Sequence, residues 1–329
     1  MKVSLVTGCA GFIGSHMVDF LLKKKHLVYG IDNLSSGKII NISHNFKSKK
    51  FIFFNKDLKY FEKISKKIMK IDFVFHFAGN GELIPSIENP YNYFKNNALN
   101  SALLIDLIRR RKYKVKKFIY AASSSCYGLS DIKTSENVKI NIQHPYAFSK
   151  YVGEQAVLHW GKVYKIPTIS IRIFNAYGPR SRTTNVYGAV IGVFIKQLIT
   201  KKPLTIVGDG SQKRDFLYIT DLCDAFYKAA ISKSKNEIFN LGSGKPQSVM
   251  SLAKMIFNKY TYLPWRPGEP KKTHANINKI QNQLKWFPKV SLKRGIKNVL
   301  KNIDWWNDAP LWTPSKIKKA TKNWHKYLG

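Results

Sequence analysis

Tyr146 and Lys150 form the most informative chemical pair in the sequence, within the run HPYAFSK from His144 to Lys150. Pro145 suits the first position of a helix, where its missing N–H costs nothing. In the helix that it predicts, Tyr146 and Lys150 at i and i+4 share one face. A phenol has a reference pKa near 10, and lowering it to about 7 requires about 4 kcal/mol. A neighbouring ammonium favours the phenolate, so the pair predicts a general base acting on a hydroxyl, although the same spacing also occurs by chance on many helices.

Three consecutive hydroxyls precede this pair. The apolar run from Phe118 to Ala122 predicts a strand, and Ser123, Ser124 and Ser125 follow it directly. Ligands of parallel α/β sheets bind beyond the carboxyl ends of the strands. We therefore expect the three hydroxyls to face a ligand crevice.

A glycine-rich turn with the sequence TGCAGFIG joins the first predicted strand to the first predicted helix. Its glycines allow the backbone to approach a pyrophosphate at a helix N-terminus, and its cofactor contacts are expected from Gly8, Gly11, Phe12, Ile13 and Gly14. The spacing G-x-x-G-x-x-G also fits a turn that merely packs a helix on a strand.

Asp32 strengthens the cofactor interpretation, because it ends the second predicted strand, 18 residues after Gly14. A carboxylate there binds the adenosine ribose hydroxyls and repels a 2′-phosphate, which favours NAD over NADP. Asn33 begins a polar run through Gly37 that either lines the ribose or forms only a loop.

The elements that must position these residues alternate along the first half of the chain, and this alternation predicts α/β architecture with a doubly wound parallel (Rossmann) sheet. Six strands are predicted: Lys2–Thr7, Leu27–Asp32, Phe51–Asn55, Phe73–Phe77, Lys117–Ala121 and Thr168–Ile173. Helices are predicted at Ile13–Lys24, Pro90–Arg111, Pro145–Tyr164, Ala189–Thr200, Asp221–Ile231, Ser248–Lys259 and Leu292–Trp306.

After about Asn175 the sequence carries more Gly, Pro and polar residues. We therefore divide the chain into a Rossmann domain at 1–175 and a smaller C-terminal α/β substrate lobe at 176–329, with some interleaving. Trp305, Trp306, Trp312 and Trp324 predict a C-terminal helix that docks through aromatic anchors.

The net charge of +37, from 56 Lys and Arg against 19 Asp and Glu, raises nucleic-acid binding as an alternative. Only nine of the cations are Arg, and the Lys residues are dispersed, so no nucleic-acid partner is expected. Cys9, Cys126 and Cys223 show no metal spacing, so no metal is expected and a reducing, cytoplasmic location is favoured. No run of about 18 apolar residues predicts a membrane span.

Taken in chain order, these motifs resemble the extended short-chain dehydrogenase/reductase family, in its nucleotide-sugar epimerase and dehydratase branch, over essentially the whole chain. The resemblance implies Ser123 as the catalytic hydroxyl, Tyr146 as the base and Lys150 as the ligand of the nicotinamide ribose. It also implies Asp57 and Leu58 at the adenine. A homodimer formed by helices Pro90–Arg111 and Pro145–Tyr164 is implied as well.

The resemblance further implies the substrate contacts. Asn175, Arg214 and Arg266 would meet the diphosphate, Glu269 the nucleoside ribose, and Thr273 would hold the position of a residue that gates N-acetylated sugars. The Arg fork matches two phosphate oxygens at once. Taken singly, each Arg is equally compatible with a surface ion pair.

Two positions depart from the branch's 4,6-dehydratases, where an Asp-Glu pair follows the catalytic hydroxyl. Ser124 and Ser125 stand there instead, so elimination of water lacks its acid and base. Ser125 also argues against the branch's decarboxylases, which resemble the dehydratases in placing a Glu there. NAD-dependent epimerisation at C4 of a nucleotide sugar, through a 4-keto intermediate, is therefore the leading hypothesis.

Alternatives remain open at this point. A nucleotide-sugar dehydratase, decarboxylase or reductase and a non-enzymatic NAD-sensing protein share most of these motifs. The sugar is also open among hexose, N-acetylhexosamine and hexuronate, because Thr273 suggests a roomy pocket while Arg180 and Arg182 are suited to a uronic carboxylate.

Overall fold

A computed structural model describes residues 1–181 and 189–328 of the chain. The strands in these ranges are β1 Val3–Thr7, β2 Leu27–Asp32, β3 Phe51–Asn55, β4 Phe73–His76, β5 Lys117–Ser123, β6 Thr168–Ile173, β7 Asn175–Tyr177, β8 Leu204–Val207, β9 Lys213–Arg214, β10 Phe216–Tyr218, β11 Glu237–Leu241, β12 Gln247–Ser248 and β13 Tyr260–Leu263. Seven of them form one parallel sheet in the order β11-β6-β5-β4-β1-β2-β3.

The sheet reverses its direction of growth between β1 and β4. Strands β2 and β3 extend it on one side of β1, and β4, β5 and β6 extend it on the other. Every residue of β1, β5 and β6 is buried, as expected where helices cover both faces. This arrangement confirms the doubly wound sheet, and the reversal opens a crevice at the carboxyl ends of β1 and β4.

The α-helices of the described residues are α1 Phe12–Lys23, α2 Phe61–Ser65, α3 Pro85–Glu88, α4 Pro90–Phe94, α5 Asn100–Arg110, α6 Pro145–Val163, α7 Val190–Ile199, α8 Ile219–Ile231, α9 Val249–Ile256, α10 Asn278–Leu284, α11 Leu292–Leu300, α12 Pro314–Ala320 and α13 Lys322–Leu328. A π-helical segment, Lys95–Leu99, joins α4 to α5. None of the helices that the structure describes is both long and apolar enough to cross a bilayer.

The six predicted strands agree with β1 to β6 to within two residues at either end. The predicted helix Leu292–Trp306 is wrong as a single element, because α11 ends at Leu300 and a 3₁₀ turn covers Ile303–Trp306. Asn302 separates the two and donates its side-chain amide to the carbonyl of Asn298 at 2.9 Å. Such side-chain bonding competes with the helical backbone.

Two other helix predictions also need correction. The segment predicted as Pro90–Arg111 is helical throughout, but it is interrupted by the π-helical segment. The helix predicted to continue to Lys259 ends at Ile256, where Phe257 takes an extended backbone before β13 begins.

The part of the chain after residue 176 does not fold entirely apart from the sheet. Strand β11 pairs in parallel with β6 and forms the edge of the central sheet, while β8 to β10, β12 and β13 take part in two-stranded pairs. A substrate lobe at 176–329 thus stays a prediction, with β11 interleaved into the first domain. Of the four Trp residues expected to anchor the tail, Trp306 and Trp324 are buried, and Trp305 and Trp312 are partly exposed.

Candidate active site

The glycine turn packs too tightly for side chains at two of its three glycines. Gly8 has a φ of +66°, and a Cβ there would lie 2.8 Å from the backbone nitrogen of Ala78. A Cβ on Gly14 would lie less than 3.0 Å from the carbonyl oxygen of Gly8. Helix α1 starts at Phe12 with Gly11 as its N-cap, and no side chain caps that end. Its first-turn N–H groups are therefore available to an anion.

The carboxylate of Asp32 closes the turn from the side. It accepts from the backbone N–H of Ala10 at 2.9 Å and of Leu34 at 2.8 Å. Burial raises the pKa of Asp32, and these backbone donors oppose the rise. Asp57 lies nearby, because Asn33 donates its amide to Asp57 at 2.8 Å.

One cleft brings most of the predicted cofactor residues together at the carboxyl end of the sheet. Its walls include Gly8, Gly11, Asp32, Asn33, Asp57 and Leu58, together with Ser35, Ser36, Lys56, Asn80, Asn96 and Asn100. Phe12, Ile13 and Gly14 lie in the first turn of α1, and Lys150 lies on α6 instead of on these walls. The glycine turn and the Asp32 carboxylate beside it fit an adenine dinucleotide.

The sequence interpretation missed Lys56, Asn96 and Asn100 as residues of this cleft. Asn96 lies in the π-helical segment and Asn100 is the first residue of α5, four residues later, and Asn96 donates to the side chain of Asn80 at 3.0 Å. A run of asparagines with helical spacing beside a predicted crevice was the available signal.

Ser123, Tyr146 and Lys150 lie in one buried region. Asn97 links it to the cleft, because its amide donates to the carbonyl of Asn80 at 3.1 Å and to Ser149, beside Lys150, at 2.9 Å. Ser123 is the last residue of β5, and Tyr146 and Lys150 lie in the first two turns of α6. The three residues are 8%, 8% and 7% exposed, and Ser123 is hydrogen-bonded to Tyr146. Ser124 and Ser125 begin the following 3₁₀ turn and are half-buried, with the N–H of Ser125 donating to Ser123 at 3.2 Å.

Burial acts against the acid–base chemistry that the sequence predicts. It raises the pKa of Tyr146 to about 12, and the bond with Ser123 offsets only part of the rise. It also lowers the pKa of Lys150 to about 7, a shift that the Glu154 carboxylate partly opposes. The Lys150 ammonium lies over the Tyr120 ring, 4.5 Å from its centroid. The expected lowering of the phenol pKa by this ammonium is therefore not found in the protein alone.

A buried ion pair that the sequence did not reveal supports helix α6, which carries Tyr146 and Lys150. The Arg172 guanidinium donates to Glu154, one turn after Lys150, at 2.6 to 3.2 Å. Ser170 donates to the same carboxylate at 2.7 Å, and Arg172 also donates to the Tyr127 hydroxyl at 2.8 Å. The pair ties α6 to β6 and to the turn after β5.

The five predicted substrate residues form two adjoining groups. Arg214 donates to Glu269 at 2.7 Å, and Arg266 contacts the other oxygen of Glu269 at 3.3 Å. Thr273 donates to the side-chain oxygen of Asn175 at 2.9 Å. Two guanidinium groups thus share one carboxylate, and the planar fork of each matches the oxygens of a phosphate.

Arg180 does not join the substrate groups. It donates to Asp19 at 2.8 Å, and its guanidinium carbon lies 5.6 Å from the centre of the Trp305 ring. Arg182 lies outside the described residues. The proposed contact of this loop with a uronic carboxylate therefore has no support from Arg180.

The doubly wound sheet, its side-chain-free turn and the buried Tyr–Lys pair define a dinucleotide-dependent enzyme of the short-chain dehydrogenase/reductase type. Residues 4–242 match the NAD dependent epimerase/dehydratase family. The chain belongs to this family, which spans more than half of its length.

Relatives with assigned activities resemble nearly the whole chain. A putative UDP-glucose 4-epimerase of Methanocaldococcus jannaschii is 36% identical, over 90% of this chain and 96% of the relative. A UDP-glucuronate 4-epimerase of Thermodesulfobacterium geofontis is 32% identical, over 93% of this chain and 96% of the relative. The crystal structure of a UDP-glucuronic acid 4-epimerase from Bacillus cereus, in complex with UDP-glucuronic acid and NAD, superposes with a TM-score of 0.84 at 31% identity, covering 92% of this chain and 99% of that one.

Proposed function

We propose that the protein is an NAD-dependent 4-epimerase of a nucleotide sugar, with a UDP-sugar as substrate. The observation that carries this proposal is the convergence of Ser123, Tyr146 and Lys150 in one buried region, which Asn97 links to the cleft wall through hydrogen bonds to Asn80 and Ser149. The similarity to UDP-glucose and UDP-glucuronate 4-epimerases over nine-tenths of the chain supports it.

The glycine turn, Asp32 and Asp57 would hold the cofactor, and Lys150 would bind its nicotinamide ribose. When bound, NAD supplies the acceptor of the C4 hydride, the donor that returns it to the other face, and a positive ring that favours the phenolate. Tyr146 takes the proton of the C4 hydroxyl and later gives it back. Ser123 donates a hydrogen bond to the same sugar oxygen. Burial keeps water away from the 4-keto sugar.

Arg214, Arg266, Asn175 and Glu269 would anchor the nucleotide, the first three at the diphosphate and Glu269 at the ribose. Anchoring through the diphosphate leaves the sugar ring free to turn over, which is needed if both faces of C4 are to meet the same cofactor. Ser124 and Ser125 provide no carboxylate for elimination, so the keto sugar returns to an alcohol.

The direct test incubates the purified protein with UDP-glucose, UDP-galactose, their N-acetyl forms and UDP-glucuronate. An equilibrium mixture of C4 epimers from at least one of them, without added NADH, is the expected result. Accumulation of a 4-keto-6-deoxy sugar would indicate a dehydratase instead. Release of carbon dioxide from UDP-glucuronate would indicate a decarboxylase, and steady consumption of NADH a reductase. A phenotype that survives Tyr146→Phe unchanged would favour an NAD-sensing role.

We further propose a homodimer that pairs α4, α5 and α6 with their copies. Phe148 on α6 is 48% exposed and stacks on Phe94 of α4, with 5.9 Å between the ring centroids. Leu99, the last residue of the π-helical segment before α5, is 50% exposed. Such apolar side chains on adjacent helices favour a second copy as their partner. Phe148→Glu should convert a dimer to a monomer in light scattering, whereas the exposed Met69→Glu should not.

The cytoplasm is the proposed location. Cys9, Cys126 and Cys223 are all buried free thiols, which suits a reducing compartment.

A further inference from the structure

The C-terminal helix α13 lies against the loop that holds the proposed nucleotide anchors. Trp324 is 3% exposed, and its indole N–H donates to the carbonyl of Pro267 at 2.7 Å. Pro267 lies between Arg266 and Glu269, the two anchors of this loop. Leu328 of the same helix packs beside Gly268, whose missing Cβ would lie 3.5 Å from it. Helix α13 therefore packs against the loop from Arg266 to Glu269, which we call the anchor loop.

The same tryptophan also contacts the start of the catalytic helix. Its ring centroid lies 5.6 Å from that of His144. The His144 ring in turn lies parallel to the Tyr146 ring, with 5.9 Å between centroids and 8° between planes. A nitrogen of the His144 ring accepts from the N–H of Ala147 at 3.3 Å, so this histidine is the N-cap of α6. An unbroken series of ring contacts thus joins Trp324 to the phenol.

These two contacts distinguish Trp324 from an ordinary terminal anchor. Trp306 is fully buried in the tail as well, but it lies in the large central core cluster. Trp324 lies between two groups that are distant in the sequence and that belong to opposite ends of the proposed substrate. Moving its ring would displace the anchor loop and the support of the phenol together.

We propose that Trp324 is a positioning residue that couples the nucleotide anchor loop to Tyr146, so that the diphosphate and the reacting sugar are held at a fixed separation. The inference rests on the proposed function and deepens it. A small displacement of a positioned group lowers the rate far more than it lowers stability.

Two substitutions at this position separate the two contacts. Trp324→Phe keeps a ring beside His144 and removes the donor to Pro267. We expect it to raise KM for the UDP-sugar about fivefold with kcat nearly unchanged. Trp324→Ala removes both contacts and should lower kcat as well as raise KM, with kcat/KM falling at least about tenfold.

The controls are two residues of the same tail. Tyr327→Ala removes an exposed ring from α13, and Ile317→Ala removes a buried side chain from α12. Both should leave kcat and KM within about twofold of the wild type, although Ile317→Ala should lower Tm. A matching loss of kcat/KM in Ile317→Ala at equal loss of Tm would show that Trp324 is only a structural anchor. Wild-type kcat and KM in Trp324→Ala would overturn the proposal directly.

The affinity for UDP, measured by calorimetry on the NAD-loaded protein, tests the coupling without turnover. Binding by Trp324→Phe about fivefold weaker than by the wild type supports the proposal, even if Trp324→Ala does not fold. Equal affinities would overturn it, as would a wild type that does not bind UDP. A wild type that binds UDP but epimerises none of the tested sugars contradicts the proposed function instead.

Discussion

Burial favours the neutral forms of Tyr146 and Lys150, because it raises the pKa of the phenol and lowers the pKa of the ammonium. The free-energy cost of removing a charge from water exceeds the stabilisation by neighbouring groups, because Ser123 and Glu154 each offset only part of the pKa shift. Activation of the phenol would therefore depend on the cofactor, because the nicotinamide would add positive charge beside Tyr146 when NAD is bound.

Replacing Tyr146 with Phe should reduce the rate of epimerisation at least a hundredfold, because the proton of the sugar hydroxyl then has no acceptor. The NAD content of the purified variant should stay at the wild-type value, since the phenol lies outside the walls of the dinucleotide cleft. Tyr151→Phe, one turn further along α6, is the matched control and should retain activity. Near-normal turnover in Tyr146→Phe would exclude the phenol as the base.

Gly14→Ala should abolish NAD retention and destabilise the fold, because its Cβ would overlap the carbonyl oxygen of Gly8. NAD released by acid from the purified variant, relative to protein, measures the loss. Gly81 has open space around its missing Cβ, so Gly81→Ala should retain the cofactor. Stoichiometric NAD in Gly14→Ala would contradict the assigned turn.

At the scale of the elements, the buried pair between Glu154 and Arg172 fixes helix α6 on strand β6. Its side chains are 1% and 3% exposed, and removing one charge leaves the other unpaired away from water. Glu154→Gln should therefore lower the free energy of unfolding by about 3 kcal/mol or more in urea titration.

An ion pair at the surface provides the comparison. Asp106 pairs with Arg109 and Arg110 on a face of α5 that is more exposed than the Glu154–Arg172 pair. Asp106→Asn should therefore lower the free energy of unfolding by less than about 1 kcal/mol. Similar losses for Asp106→Asn and Glu154→Gln would show that the buried pair contributes no more than a surface pair.

At the scale of the whole molecule, the charge of +37 surrounds the site proposed for a diphosphate, which carries two negative charges. A field of this sign raises the rate of encounter with an anionic substrate and weakens with added salt. The field does not identify the substrate, because it attracts every anion of the same charge to a similar extent.

Acid should destabilise the protein as its buried histidines take up protons. Burial lowers the pKa of His16 and His144 to about 4 and of His76 to about 3. The unfolded chain therefore binds more protons than the folded one below about pH 6.5, and the stability from neutral histidines is lost as the pH falls from there towards 4. Urea midpoints at pH 7 and 4.5 should show this fall. His76→Gln should reduce this fall in the urea midpoint between the two pH values.

The sequence by itself determined the features that depend on neighbouring residues. The strands β1 to β6, the glycine turn before α1 and the spacing of Tyr146 and Lys150 on one helix are local patterns, since period, capping and turn geometry act over a few residues. The residues proposed for substrate binding came from the family resemblance, and their roles stay predictions.

Only the tertiary structure decided which distant groups meet and in which surroundings. Arg214 contacts Glu269 across 55 residues of sequence, and Trp324 contacts His144, which also caps helix α6. The pKa shift of Tyr146 was also decided by the tertiary structure. Its direction depends on how much water the packed chain excludes from the phenol, and the spacing of residues along the sequence does not specify that exclusion.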